Sequence, residues 1–329
     1  MRALKHSSPL QELSLPVCRR HNVRLFIKRD DLLHPQISGN KWRKLKFTLL
    51  KAASESREQI VSFGGAFSNH IAALAAAGSA YGFKTTGIIR GEADPDNPTL
   101  RWAQQQGMEL KFVDRSIYRQ RHDSEYLTKL HSEFPKALIV PEGGTSKDAL
   151  AGVGELLDEI HAQMDMPIDS LVTAVGSGGT LAGLIAKDQS NLQLLGVPVV
   201  KDASLESKIR GLLEGIEREN DENWKLMIEP SWGGYGKVPA HLATELNSLA
   251  EQLEVPLEPV YTGKAFLTML AAIESQTIPS GSRVVFLHTG GLQGLKGLAY
   301  RNIFHTPAQW LKGLPEDLSA ELNALRKMA

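Results

Sequence analysis

The stretch SLVTAVGSGGTLAGLI, Ser170–Ile185, decides how this chain is read. An apolar run of strand composition ends in Gly176-Ser177-Gly178-Gly179-Thr180, and an apolar helix follows at once. A strand, a tight turn and a helix in that order belong to parallel sheets covered on both faces. The glycines let backbone amides converge and the helix N-terminus adds positive potential, so the turn can cradle a phosphate dianion. Thr180 can add a hydroxyl donor. The turn lacks the GxxxxGK[ST] spacing, and no clear GxGxxG with an acidic residue at the end of the next strand is present. Both absences disfavour a nucleotide. Bland strand–turn–helix packing stays open for this loop taken by itself.

The same alternation runs outward in both directions. Strand composition recurs at Val23–Lys28, Gln59–Phe63, Lys84–Ile89, Met108–Val113, Ala137–Val140, Leu192–Val197, around Lys225–Ile228, and at Arg283–Leu287. Helical composition lies between, at Trp42–Ala53, Asn69–Ala80, Asn97–Gln106, Ser116–Phe134 and near Leu205–Glu214. The pattern predicts an α/β protein of parallel-type open sheets covered by helices, and 329 residues accommodate two such domains. Ligands in these sheets bind beyond the carboxyl ends of the strands, where the glycine-rich turns fall.

Composition narrows the function classes. Lys plus Arg and Asp plus Glu each total 37, so nothing suggests nucleic acid or an anionic membrane as partner. Cys18, the single cysteine, cannot form an intrachain disulfide and fits a reducing compartment. Met1–Pro16 has no apolar signal core, and no run approaches the roughly 18 apolar residues of a membrane span. The expectation is a cytoplasmic protein with no metal ligand set.

Three further turns carry chemistry. Ser38-Gly39-Asn40-Lys41 places a lysine where a strand gives way to a helix. A Schiff-base lysine must lose its proton, and the neighbouring Arg43 and Lys44 with the helix N-terminus favour that. Lys44 shares a helix face with Lys41 and can reach an anion held nearby. Read alone, this is equally a solvated basic helix start. Ser68-Asn69-His70 opens an alanine-rich helix; Ser68 is a good N-cap, and such caps also expose amides to a substrate carboxylate. His288-Thr289-Gly290-Gly291 supplies a second glycine turn. A lysine for an imine together with a phosphate cradle points to pyridoxal 5'-phosphate and hence to amino-acid chemistry.

Seven ordered segments then carry a family resemblance: KRDD at Lys28–Asp31, GNKWRKL at Gly39–Leu45, SNH at Ser68–His70, GSGGTLAGL at Gly176–Leu184, GGYGKVP at Gly233–Pro239, PVYTGKA at Pro259–Ala265 and HTGG at His288–Gly291. The chain resembles the fold-type II pyridoxal-phosphate enzymes (tryptophan synthase β-like), in particular the aminocyclopropane-carboxylate deaminase and D-cysteine desulfhydrase group. The resemblance implies that Lys41 forms the imine and moves the α-proton, and that Asn69 holds the ring oxygen. It implies that Gly176, Ser177, Gly178, Gly179 and Thr180 with Lys44 hold the phosphate. Ser68 would bind or polarise the substrate, with Tyr235 and Tyr261 facing it. It further implies a small domain, 45–153, inserted into a large cofactor domain, 1–44 and 154–329, and a homodimer.

Two chemistries compete within the group. Deaminases open a cyclopropane ring to give 2-oxobutyrate and ammonia; desulfhydrases take the α-proton of D-cysteine and expel sulfide. The deaminase pattern has glutamate after the tyrosine of PVY and leucine in HTGG, where this chain has Thr262 and Thr289. Glutamate keeps a pyridine nitrogen protonated, whereas threonine only hydrogen-bonds, which suffices for β-elimination. The sequence therefore favours a desulfhydrase, with either threonine as the partner of the nitrogen. Ala66-Phe67 before Ser68 and Trp232 near Tyr235 depart from the desulfhydrase wording and are expected to reshape the substrate mouth, and Pro198–Ser207 has no counterpart. Another D-amino acid with a β-leaving group, such as β-chloro-D-alanine or D-serine, remains as an alternative substrate, and a racemase, a dehydratase, a non-catalytic metabolite binder and a Rossmann-like nucleotide binder as alternative functions.

Overall fold

The computed structural model describes residues 7–37, 39–190, 192–218, 220 and 222–328, the side chains of 230 and 324–328 excepted; Ser38 of the first motif lies outside the described residues. Two sheets organise the chain. The larger is built from β1 (Leu10–Leu13), β2 (Arg24–Arg29), β7 (Ser170–Val175), β8 (Gln193–Pro198), β9 (Trp224–Leu226) and β10 (Arg283–His288), in the order β1-β2-β10-β7-β8-β9. The smaller comprises β3 (Gln59–Gly65), β4 (Lys84–Arg90), β5 (Glu109–Val113) and β6 (Ala137–Val140), in the order β5-β4-β3-β6.

All pairings are parallel except β1 with β2, where Leu10 faces Lys28 across an antiparallel edge. That edge departs from the expected parallel pattern. Four residues of mixed burial carry too little alternation to be read from sequence. The central strands behave as their composition demands. All six residues of β7 are buried, because helices cover both faces. Phe286 of β10 stands in register with Ile27 on one side and Val172 on the other, inside the largest core cluster.

The helices differ from expectation mainly at their ends. The stretch 116–134 is two helices, Arg115–Arg119 and Ser124–Glu133, because Asp123 breaks the run and accepts a hydrogen bond from the Glu125 amide. The helix Asn69–Tyr81 is buried from His70 to Gly78, and its alanines allow that closeness. A side chain at Gly78 would strike Thr85 at 2.4 Å, so this helix lies directly on β4. The expected crossing points between the two halves, 44/45 and 153/154, fall inside the helices Asn40–Ser54 and Lys147–Gln163. These two helices touch backbone to backbone at Gly152, where a Cβ would come within 2.1 Å of the Arg43 carbonyl oxygen.

Candidate active site

Lys41 sits at the start of the Asn40–Ser54 helix, and its turn is held from behind. Gly39 has φ +67°, and a Cβ there would stand 1.9 Å from the Thr289 carbonyl oxygen. The Asn40 amide donates to that same oxygen at 3.2 Å, so the first and fourth turns in chain order, Ser38–Lys41 and His288–Gly291, meet back to back at Gly39 and Thr289. Burial lowers the Lys41 amine to a pKa of about 8, against the opposing pull of the Glu142 carboxylate. Lys44 lies deeper, at 2% exposure, and burial plus the nearby Lys41 charge hold it well below the ordinary lysine range. Its Nζ donates to Thr145 Oγ1 at 3.1 Å.

The glycine loop between β7 and the helix Gly179–Lys187 forms the floor. A Cβ at Gly179 would fall 2.7 Å from Thr145 Oγ1 and 3.0 Å from Lys44 Nζ, so only glycine keeps this space open. Ser177 Oγ meets Thr145 Oγ1 at 2.6 Å, and Asn40 Nδ2 donates to Thr180 Oγ1 at 2.9 Å. Converging amides, three hydroxyls and one amine form a donor set that fits an organic phosphate.

Ser68 caps the Asn69–Tyr81 helix by accepting the Ile71 amide at 3.3 Å. Asn69 is braced by the fourth turn, since a Cβ at Gly291 would stand 2.9 Å from its Nδ2. His70, 2% exposed, pairs through Nε2 with Ser62 Oγ at 2.8 Å, and Ser62 in turn donates to the Val140 carbonyl at 2.9 Å. That network assigns the proton to Nε2. Burial and the two lysines hold the ring neutral. His70 thus ties the turn after β3 to the end of β6.

Lys41, Lys44, Ser68, Asn69, Gly176, Ser177, Gly178, Thr180, Tyr235, Tyr261 and Thr289 line one cavity of about 840 Å³. Gly179 lies against Lys44 and Thr145 behind the loop. Thr262 stands apart from the rest. Fully buried at the head of the helix Thr262–Glu274, it gives its hydroxyl to the Glu258 carbonyl and receives the Glu258 amide, at 3.3 and 3.1 Å. Only Thr289 of the two threonines lines the cavity among the described residues. Tyr235 meets Tyr261 edge to face at 5.8 Å, and Tyr261 packs over Gly176.

Phe67 and Trp232, expected at the substrate mouth, are not among the described residues that line the cavity. Phe67 packs on Gly297 beneath the Arg301 guanidinium at 4.2 Å. Trp232 donates its Nε1 to Thr268 at 2.9 Å and stacks on His241. Other residues, unmarked by any motif, do reach the site: Arg90, Arg121, Glu142 and Thr145 line the cavity, as do Val200 and Asp202 from the segment without a counterpart. Their signal in the sequence is positional, since Arg90 closes β4 and Glu142 follows β6 at the ligand-binding edge of the sheet. Glu258, buried behind Tyr261, accepts the amides of Val260, Tyr261 and Thr262 at 2.7–2.8 Å, and burial raises its carboxyl to about 7.

A family model described as pyridoxal-phosphate dependent enzyme matches residues 5–290. A putative 1-aminocyclopropane-1-carboxylate deaminase of Pyrococcus abyssi is 32% identical over 302 residues, 88% of this chain and 90% of that protein. The mitochondrial bifunctional D-cysteine desulfhydrase/1-aminocyclopropane-1-carboxylate deaminase of Arabidopsis thaliana is 29% identical, over 88% of this chain and 79% of that one. A crystal structure of an ACC deaminase homologue superposes with a TM-score of 0.78 at 28% identity, covering 88% of this chain and 91% of that one.

Proposed function

The chain belongs to the pyridoxal-phosphate dependent enzymes, and within the deaminase and desulfhydrase group we propose that it is a D-cysteine desulfhydrase-like lyase. The reaction converts D-cysteine and water to pyruvate, hydrogen sulfide and ammonia. Bound pyridoxal phosphate supplies the electron sink that lets the α-C–H bond of an amino acid ionise. Lys41, with its amine lowered to about 8, holds and moves that proton near neutral pH. The glycine loop, Thr180 and Lys44 would hold the phosphate, and Asn69 the ring oxygen. Ser68 and the amides at the head of its helix receive the substrate carboxylate, and Tyr261 with Tyr235 closes the substrate side.

The observation that carries the choice of reaction is the group available to the pyridine nitrogen. Thr289 lines the cavity, while the carboxylates lining it, Glu142 and Asp202, are paired with Arg121 and Lys208. A hydroxyl stabilises carbanion charge less than a carboxylate would, which suits expulsion of a good β-leaving group better than ring opening. Sulfide release from D-cysteine, with L-cysteine and aminocyclopropane carboxylate beside it, is the test. Sulfide from the D-isomer alone supports the reading; 2-oxobutyrate from the cyclopropane without sulfide makes the protein a deaminase. Lys41→Ala should abolish the cofactor's visible absorption band and all turnover while the circular dichroism spectrum stays native. Full activity in that variant would remove Lys41 from the mechanism.

A further inference from the structure

The cavity holds more positive charge than a cysteine-sized substrate requires. Arg121 is neutralised by Glu142 at 2.7 Å and Lys208 by Asp202 at 2.7 Å, while Lys44 faces the phosphate cradle. Burial lowers the His122 pKa and so favours its neutral form. Arg90 remains. Among the described residues lining the cavity it is the one guanidinium with neither a carboxylate nor a hydrogen-bond acceptor at its donors.

Arg90 is itself exposed to solvent where it lines the cavity. Arg90 is the last residue of β4, in register with Gly65 at the end of β3, three residues before Ser68. Gly65 leaves the side chain room to cross the strand end, and a Cβ there would lie 3.6 Å from the guanidinium. Tyr118, 2% exposed, gives Arg90 a platform: its ring lies 5.6 Å from the Arg90 guanidinium and 4.9 Å from that of Arg121. The Tyr118 hydroxyl is anchored on Glu142 Oε1 at 2.7 Å. This cluster holds one charge pair closed and one guanidinium open, toward the side of the cavity where Ser68 lies.

The geometry points to a second anion subsite at Arg90, and therefore to a substrate whose β-substituent is itself anionic, such as a sulfonate or thiosulfonate. The inference rests on the β-elimination reading for its chemistry. The amides at the head of the Asn69–Tyr81 helix take the α-carboxylate, and a planar guanidinium grips the second anion through two parallel N–H donors. With S-sulfo-D-cysteine the α-proton and the Cβ–S bond are lost. The bonding pair leaves on sulfur as thiosulfate, and water converts the remaining three-carbon enamine to pyruvate and ammonia.

Two measurements test it on the holoenzyme. The first needs no elimination: spectral titration with D-aspartate and with its neutral isostere D-asparagine. D-Aspartate should bind at least about tenfold more tightly, the size of one charge-assisted contact. Arg90→Gln should collapse that ratio toward one, and Arg90→Lys should restore part of it. The second compares kcat/KM for S-sulfo-D-cysteine and D-cysteine, where Arg90→Gln should shift the ratio at least about tenfold, through KM. Equal binding of aspartate and asparagine by the wild type, or equal loss of both in Arg90→Gln, overturns the subsite; the latter would make Arg90 a holder of the α-carboxylate. Arg90-dependent aspartate binding without product from any substrate keeps the subsite and discards β-elimination.

Discussion

At the residue scale the site turns on what burial does to Lys41. A protonated amine cannot attack an aldehyde, and a lysine at its ordinary pKa of about 10.4 is almost wholly protonated at neutral pH. Burial brings Lys41 to about 8, and the Glu142 carboxylate limits the drop. Covalent capture of pyridoxal phosphate by the cofactor-free protein should therefore rise about tenfold per pH unit below 8 and level off above it. Glu142→Gln should move that midpoint downward, because the anion that favours the protonated amine is gone. A midpoint unmoved by the substitution would show that Glu142 does not act on Lys41. Ser68 has two roles at once, and they separate experimentally. Ser68→Ala should lower stability by about 1 kcal/mol through the lost cap, and it should also impair turnover with the cofactor band retained. Loss of stability alone would leave Ser68 a helix cap only.

At the element scale, the turns matter more than the strands and helices they join. The Lys41 turn and the Thr289 turn come from opposite ends of the sequence, yet the Gly39 backbone lies on the Thr289 carbonyl. Gly39→Ala would add a methyl group 1.9 Å from that oxygen at a positive φ. We expect at least about 2–3 kcal/mol of destabilisation and weakened cofactor binding, since the two turns must part. Equilibrium denaturation and cofactor titration check this, and wild-type values in both would mean that the turns are not pressed together. The same argument explains why Asn69 points where it does: Gly291 and Gly294 leave its amide room on the fourth turn.

At the scale of the whole molecule, a buried ionic network ties the Lys41 helix to the larger sheet. Arg43, two residues past Lys41, binds Asp30 at 2.6 Å and Glu159 at 2.8 Å, and Glu159 also holds the fully buried Lys28 of β2 at 2.9 Å. Burial by itself would raise the Glu159 carboxyl, but Arg43 and Lys28 hold it down at about 2. A carboxyl depressed in the folded state stabilises the fold above its unfolded value of about 4.5 and loses that contribution as pH falls toward 2. Glu159→Gln should flatten the stability–pH curve across that window. At neutral pH it should destabilise by about 3–5 kcal/mol, because two buried cations lose a partner. An unaltered acid limb in urea denaturation would remove Glu159 from the network's energetics. We propose further that 45–153 forms a small domain inserted into a large one, 1–44 and 154–329, with the paired helices Asn40–Ser54 and Lys147–Gln163 as the connection.

Much of this was legible in the chain itself. The alternation of short apolar runs with helices, and the glycine turns at strand ends, determined the α/β class and marked the glycine loop and Lys41 as candidates, because periodicity and turn chemistry are local properties. Residues without a motif were not legible. Arg90, Arg121 and Glu142 are ordinary surface types in sequence, and only tertiary contacts set them around one cavity. Tertiary structure likewise divided the two threonines, which the sequence left equivalent: Thr289 faces the cavity, and Thr262 is turned inward to hold Glu258. Phe67 and Trp232 moved the other way, from expected gatekeepers to packing. The physical reason is the same in each case: composition states what a side chain can do, and which groups surround it is decided by contacts between residues far apart in the chain.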